Sequence, residues 1–223
     1  RRSLLPGLTE VLQRNLSRGF KNLKIFEAGR VFIPGERQGS ASIPPLGERP
    51  GDEVLADLNA GIPEQPVYFS GLFAGAEHEP MPGTQARAYD WRDALDAARL
   101  IADVLGVEIV IAQGTHQAFH PGRTAQLRTQ DGQTIGYAGE LHPKLLQTEN
   151  LPERTCAFEV NFTELFASRW GVPQASPIYG YPAATQDVAL VVDENIPASE
   201  VAQALRDGAG ELLEDLRVFD DYR

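Results

Sequence analysis

The chain has 223 residues, 42% of them hydrophobic and 23% charged, the balance of a globular protein and not of a disordered tail. Its formal net charge of −11 argues against a stand-alone nucleic-acid binder, because affinity for phosphate backbones comes largely from Lys and Arg. The single cysteine, Cys156, excludes an intramolecular disulfide and fits a cytoplasmic home; the longest apolar runs, such as residues 107–112, are too short to span a bilayer, and the N-terminus carries no signal-peptide pattern.

In chain order, residues 3–16 are predicted to form a helix, with Leu4, Leu5, Leu8, Leu12 and Leu16 on one face and Pro6 tolerated near its start. Residues 23–32 follow as a strand with Leu23, Ile25 and Val31 on one face and Phe26, Ala28 and Phe32 on the other, which suggests a strand inside a sheet. Residues 34–66 are rich in Gly and Pro, with a short helix at 53–59, and 67–74 reads as a strand. The clearest helix is 90–105. Asp90 is its N-cap with Asp93 three residues on, Gly106 ends it, and Trp91, Ala94, Leu95, Ala98, Ile101 and Leu105 form its apolar stripe. A strand at 107–113 precedes a hairpin, 125–129 and 134–139, turning at Asp131-Gly132. Then come a short helix at 143–147, a strand at 156–162 and a helix capped by Thr163 running to Trp170.

Composition changes at residues 171–182, which hold three prolines, and the domains are placed at 1–172 and 173–223. The second is read as a β-α-β unit, strands at 186–192 and 216–222 around a helix at 197–206, and by itself is too small to be stable. The chain opens at Arg1, not Met, and stops after a strand-like run, so we expect a piece of a longer protein.

Signals of chemistry are sparse. His116 and His120 have i, i+4 spacing, but Gly114, Pro121 and Gly122 around them oppose the helix a zinc pair would need. His120 and His142 each precede a proline and read as extended turn residues. Gly136 and Gly139 lie inside a strand pattern, where glycine marks close backbone approach and not a phosphate loop. Glu159, Glu164 and Asp187 are scattered carboxylates, the acids from Glu211 to Asp221 form a solvated edge, and Cys156 reads as a small buried hydrophobe with no base beside it. The main basic concentration is Arg1, Arg2, Arg14, Arg18, Lys21 and Lys24, either a solvated helix face or a contact for RNA or an acidic partner. No catalytic, cofactor-binding or metal residue is assigned.

Several stretches together resemble one family. RSLLPGLTEVLQRNL (2–16), KIFEAGRVF (24–32), HPGRTAQL (120–127), GYAGELHP (136–143) and CAFEVNFTELF (156–166) resemble, in order, the synthetase-like domain of the bacterial phenylalanyl-tRNA synthetase β subunit. YPAATQDVALVVDENIPASEV (181–201) resembles the opening of that family's ferredoxin-like anticodon-binding domain. The resemblance implies an α+β fold: a class II synthetase-like antiparallel sheet flanked by helices, without an active site, followed by a partial ferredoxin-like β-α-β unit. It implies a cytoplasmic enzyme that uses ATP and magnesium to charge tRNA(Phe), an α2β2 heterotetramer whose catalytic α subunit pairs with this part. No cofactor is expected in this fragment.

By that resemblance, the second class II motif places an arginine where this chain has Ile33. The glycine-rich third motif falls on Glu159 and Asn161, with Glu164 at its arginine. An alkyl chain cannot fork onto a phosphate, and carboxylates repel one. Arg123 or Arg128 at the second arginine's place would overturn this. Other readings are a free-standing synthetase-derived RNA-binding or regulatory module, which would need a basic face, and a small hydrolase or transferase, which would need a base beside a nucleophile.

Overall fold

The computed structural model describes residues 1–35, 43–169, 175, 178 and 180–220. Contacts divide the chain into two units, Arg1–Pro173 and Gln174–Arg223.

The first unit is built on a six-stranded antiparallel sheet. Its strands are β1 Leu23–Arg30, β2 Val67–Ala74, β3 Val110–Gln113, β4 Phe119–Arg128, β5 Thr134–Leu141 and β6 Cys156–Asn161, in the order β1-β2-β6-β5-β4-β3. Strand alternation sends successive side chains to opposite faces, and each face has its own helix. Helix α1 (Leu5–Ser17) buries Leu5, Leu8 and Leu12 against Leu72, Phe119 and Ala157. Helix α3 (Trp91–Leu105) buries Ala94, Leu95, Ala98 and Ala102 on the other face, against Phe73, Leu127, Ala138 and Phe158. A fully buried leucine such as Leu12 contributes about 2 kcal/mol. Shorter helices α2 (Asp52–Ala60), α4 (Pro143–Thr148) and α5 (Phe162–Ala167) complete the unit.

Helix α3 forms as its ends dictate. The Asp90 carboxylate accepts from the Arg92 N–H at 2.8 Å, Asp93 accepts from the Asp90 N–H at 2.8 Å, and Gly106 closes the helix at φ 66°. Trp91 departs from the expected stripe: it is 36% exposed, its ring beside the Arg92 guanidinium. The next strand is only Val110–Gln113, while the hairpin is longer than expected and turns at Gly132, φ 87°. Helix α5 is capped by the Asn161 side chain, not Thr163, whose hydroxyl instead accepts from the Val67 N–H at 2.8 Å; Trp170 lies outside the described residues.

One placement is corrected. Strand β1 is not inside the sheet but at its edge. Its exposure alternates, so Lys24, Phe26, Ala28 and Arg30 face outward on the α3 side and Phe26 is 78% exposed. The two cations flanking Phe26 at even spacing are the signal that this face is wet.

In the second unit, α6 (Ala198–Ala209) forms, followed by a single 3-10 turn, Gly210–Leu212. The expected strands do not: 186–192 and 216–220 have no ladder partner among the described residues, and 221–222 lie outside them. A strand exists only by pairing, and a helix makes its own hydrogen bonds.

Gly136 and Gly139 mark close approach between strands, as their place in the pattern suggested. A Cβ at Gly136 would collide with the Glu159 carbonyl oxygen, and one at Gly139 with that of Arg123. Gly136→Ala is therefore expected to cost about 1–3 kcal/mol in urea unfolding; a variant as stable as the parent would show that β5 and β6 can separate locally without loss.

Candidate functional site

On the α1 side of the sheet, Ser70, Glu159 and Tyr137 are register neighbours across β2, β6 and β5. A carboxylate in a central strand must find partners or lose heavily to desolvation. Glu159 finds them at the start of α1: Oε1 accepts from the Leu4 N–H at 2.8 Å and the Ser3 hydroxyl at 2.9 Å. Ser3 Oγ in turn accepts from the Leu5 N–H at 3.1 Å. Leu4, the N-cap, has no side-chain oxygen, so a residue from β6 satisfies the helix's first donors. Burial pushes the Glu159 pKa up, and the Leu4 and Ser3 hydrogen bonds only partly offset it. Arg1 and Glu27, 2.6 Å apart, close the same end of the helix.

The structure does not gather the other motif positions around Glu159. The Ile33 N–H donates to the Glu64 carbonyl at 2.9 Å, closing the base of a loop. The Asn161 side chain accepts from the Glu164 N–H at 3.2 Å as the α5 cap. The Glu164 carboxylate accepts from the Gln133 amide at 3.0 Å, beside the β4–β5 turn. Tyr68, the register partner of Asn161, senses both acids: burial first, then Glu159 and Glu164, raise its pKa. Of the two β4 arginines, Arg123 is neutralised by an acid and Arg128, among the described residues, is not. Arg123 pairs with Glu140 at 2.7 Å, and Arg128 Nε donates to the Gln126 side-chain oxygen at 3.1 Å. A triphosphate calls for guanidinium or metal charge; Ile33, Glu159 and Glu164 supply an alkyl chain and two carboxylates, while Arg128, on the Glu159 side of the sheet, is engaged by the neutral Gln126 side chain. Ile33, Glu159 and Glu164 do not fit a triphosphate.

The remaining candidates have local roles. Nδ1 of His116 accepts from the Ala118 N–H, that of His120 from Gly122 and that of His142 from Lys144, so each ring caps its own turn. Burial lowers the His116 pKa, and its ring packs 4.7 Å from that of Tyr137. No group of three or more His, Cys, Asp or Glu among the described residues is placed to hold a metal. Buried Glu140 bridges Arg123 and Arg154, a clamp the sequence did not reveal because its members come from β4, β5 and a loop. Cys156 is fully buried; burial, then the Glu140 charge, pushes its thiol up to about 12.

The α3 side carries a different feature, an open groove of about 670 Å³ between α3 and the β1–β2 edge. Phe26, Phe69, Phe73, Phe158 and Leu100 line it, and Leu100 is 62% exposed.

The family model for the phenylalanyl tRNA synthetase beta chain CLM domain matches residues 1–162, which cover the whole sheet and both faces. The chain belongs to this family. A second model, the ferredoxin-fold anticodon binding domain, matches residues 180–223. Among curated relatives, the phenylalanine–tRNA ligase beta subunit of Leifsonia xyli is 47% identical over all of this chain and 27% of its own length. That of Streptomyces avermitilis is 46% identical, with the same coverage of each chain. The chain thus spans about a quarter of the relatives it matches. A solved structure of pyrrolysyl-tRNA synthetase from Desulfitobacterium hafniense overlaps 76% of this chain and 49% of its own, with 18% identity and a TM-score of 0.46. Among the described residues no helix is long and apolar enough to cross a membrane.

Glu159→Ala, which strips α1 of its external cap, is expected to cost about 1–3 kcal/mol. The Glu159→Gln comparison tests the carboxyl's state. A folded pKa raised above the ordinary glutamate value means the folded state binds the proton more tightly, so this group's stabilisation is full below that ordinary value and is lost as pH rises through the folded pKa. The stability of wild type relative to Glu159→Gln should therefore fall over that interval in parallel urea titrations; a relative stability that rises with pH contradicts the assignment. Cys156 should react with a thiol reagent at pH 8 only once the chain is unfolded.

Proposed function

We propose that this chain is a non-catalytic part of the β subunit of phenylalanine–tRNA ligase. It pairs with the catalytic α subunit in an α2β2 enzyme and contributes to binding tRNA(Phe). ATP and magnesium serve the intact cytoplasmic enzyme through the α subunit, and no ligand for either is assigned among the described residues of this chain. Residues 1–172 act as the synthetase-like domain and 173–223 as the start of the anticodon-binding domain.

The observation that carries the non-catalytic reading is Glu159. Where the family resemblance places a glycine that would leave room for nucleotide, this chain has a carboxylate engaged with the start of α1. Ile33 and Glu164, at the positions of the two phosphate-binding arginines, agree with it. Support for a protein partner is the groove between α3 and β1, because exposed contiguous apolar surface on a soluble chain marks an interaction site. That surface weighs against a free-standing module.

Co-expression with the matching α subunit tests this, read by the mass of the purified material and by phenylalanine-dependent ATP–pyrophosphate exchange. We expect the two chains to co-purify and exchange to require α. Exchange by this chain alone would overturn the reading of Ile33, Glu159 and Glu164. Failure to co-purify when the full-length β subunit is used would remove the partner assignment.

A further inference from the structure

The cations of the first unit fall into two classes. Six are neutralised: Arg1 by Glu27, Arg87 by Glu77 and Asp93, Arg92 by Asp90, Arg99 by Asp96, and Arg123 and Arg154 by Glu140; the others form no ion pair among the described residues, and three of those are close together in sequence. At the C-terminal end of α1, Arg14, Arg18 and Lys21 are exposed and make no ion pair among the described residues. Exposed Glu10 lies one helical turn before Arg14 but forms no ion pair with it among the described residues, and two further acids are held by amides. Glu149 accepts from the Gln13 side chain at 3.0 Å, and Glu79 from that of Asn22 at 2.6 Å. A chain of net charge −11 thus keeps three cations unpaired in one place.

The turn that carries them is fixed. The Gly19 N–H donates to Leu16 and the Phe20 N–H to Asn15, with Gly19 at φ 91°. Asn22 then anchors the chain by accepting from the Ala76 N–H at 2.8 Å. Phe20, between Arg18 and Lys21, is held outward at 56% exposure. The helix dipole accounts for basic residues in a last turn. It does not account for Lys21, beyond the helix, or for an aromatic ring kept in water.

We propose that the end of α1 and its turn into β1 form an RNA contact: Arg14, Arg18 and Lys21 neutralise backbone phosphates and the Phe20 ring stacks on an unpaired base. Sites of this kind combine cations that track the backbone with an exposed aromatic face. Arg14 and Arg18 are one helical turn apart and so point the same way. The contact rests on the proposed function, which supplies tRNA(Phe) as the RNA. It names the residues through which this acidic chain would touch it.

The test uses the full α–β enzyme and tRNA(Phe), with affinity measured across a KCl series. The Arg14→Gln, Arg18→Gln, Lys21→Gln triple variant should bind at least about tenfold more weakly, and its log K against log salt slope should shrink by about 2. Phe20→Ala should lose about fivefold or more with the slope unchanged. Phenylalanine-dependent pyrophosphate exchange, which needs no tRNA, should be as in wild type for every variant. Unchanged affinity and slope in assembled, exchange-competent variants would overturn the contact. Loss of the α subunit from the triple variant would also overturn it, and would assign the cations to an acidic protein surface. A wild-type complex that forms but does not bind tRNA(Phe) would overturn the proposed function itself.

Discussion

Strand β6 is the last strand in sequence, yet it lies between β2 and β5. The sheet cannot close until Cys156–Asn161 enters that gap and pairs with a strand some 90 residues earlier, with Ser70 opposite Glu159. Its alternation then decides both faces at once. Cys156, Phe158 and Val160 complete the core under α3, while Ala157 and Glu159 meet α1. Until β6 is in place, α1 lacks both its cap and part of its floor. Such pairings must overcome loop-closure entropy before they contribute stability, so β2, β6 and α1 are expected to consolidate together.

The legible parts of the fold are those whose signals act over a few residues. Asp90, Asp93 and Gly106 fixed the ends of α3, and Asp131-Gly132 fixed the hairpin turn. The leucines of α1 marked its buried side. The position of β1 was not legible because strand order is a non-local property. Its apolar residues on both faces suggested an inner strand, and Lys24 and Arg30 beside Phe26 signalled only that one face is wet. The strands expected at 186–192 and 216–222 illustrate a different limit. Sequence can favour extended backbone, but only a partner turns it into a ladder, and α6 needed none.

The site was legible as a set of departures and illegible as a set of contacts. Reading Glu159 at a glycine position, and Ile33 at an arginine position, already argued against nucleotide chemistry. Nothing in the sequence said what Glu159 does instead, because Leu4 and Ser3 lie at the opposite end of the domain's sequence. The clamp of Glu140 by Arg123 and Arg154 was hidden for the same reason. His120 and His142 were correctly read as turn residues, since a ring nitrogen reaching an N–H two residues on is a local event.

The edge position of β1 has a consequence for how the chain behaves among its own copies. A strand whose outer side pairs with no described strand presents unpaired backbone groups to any other extended segment. Centring β1 on a second β1 at Glu27 would set Glu27 opposite Glu27 and Lys24 opposite Arg30. Like charges facing each other across an antiparallel pair oppose that pairing. The charges that keep the outer face wet thus also discourage this sheet from growing into a fibre, and they leave the edge open to a segment of different charge pattern.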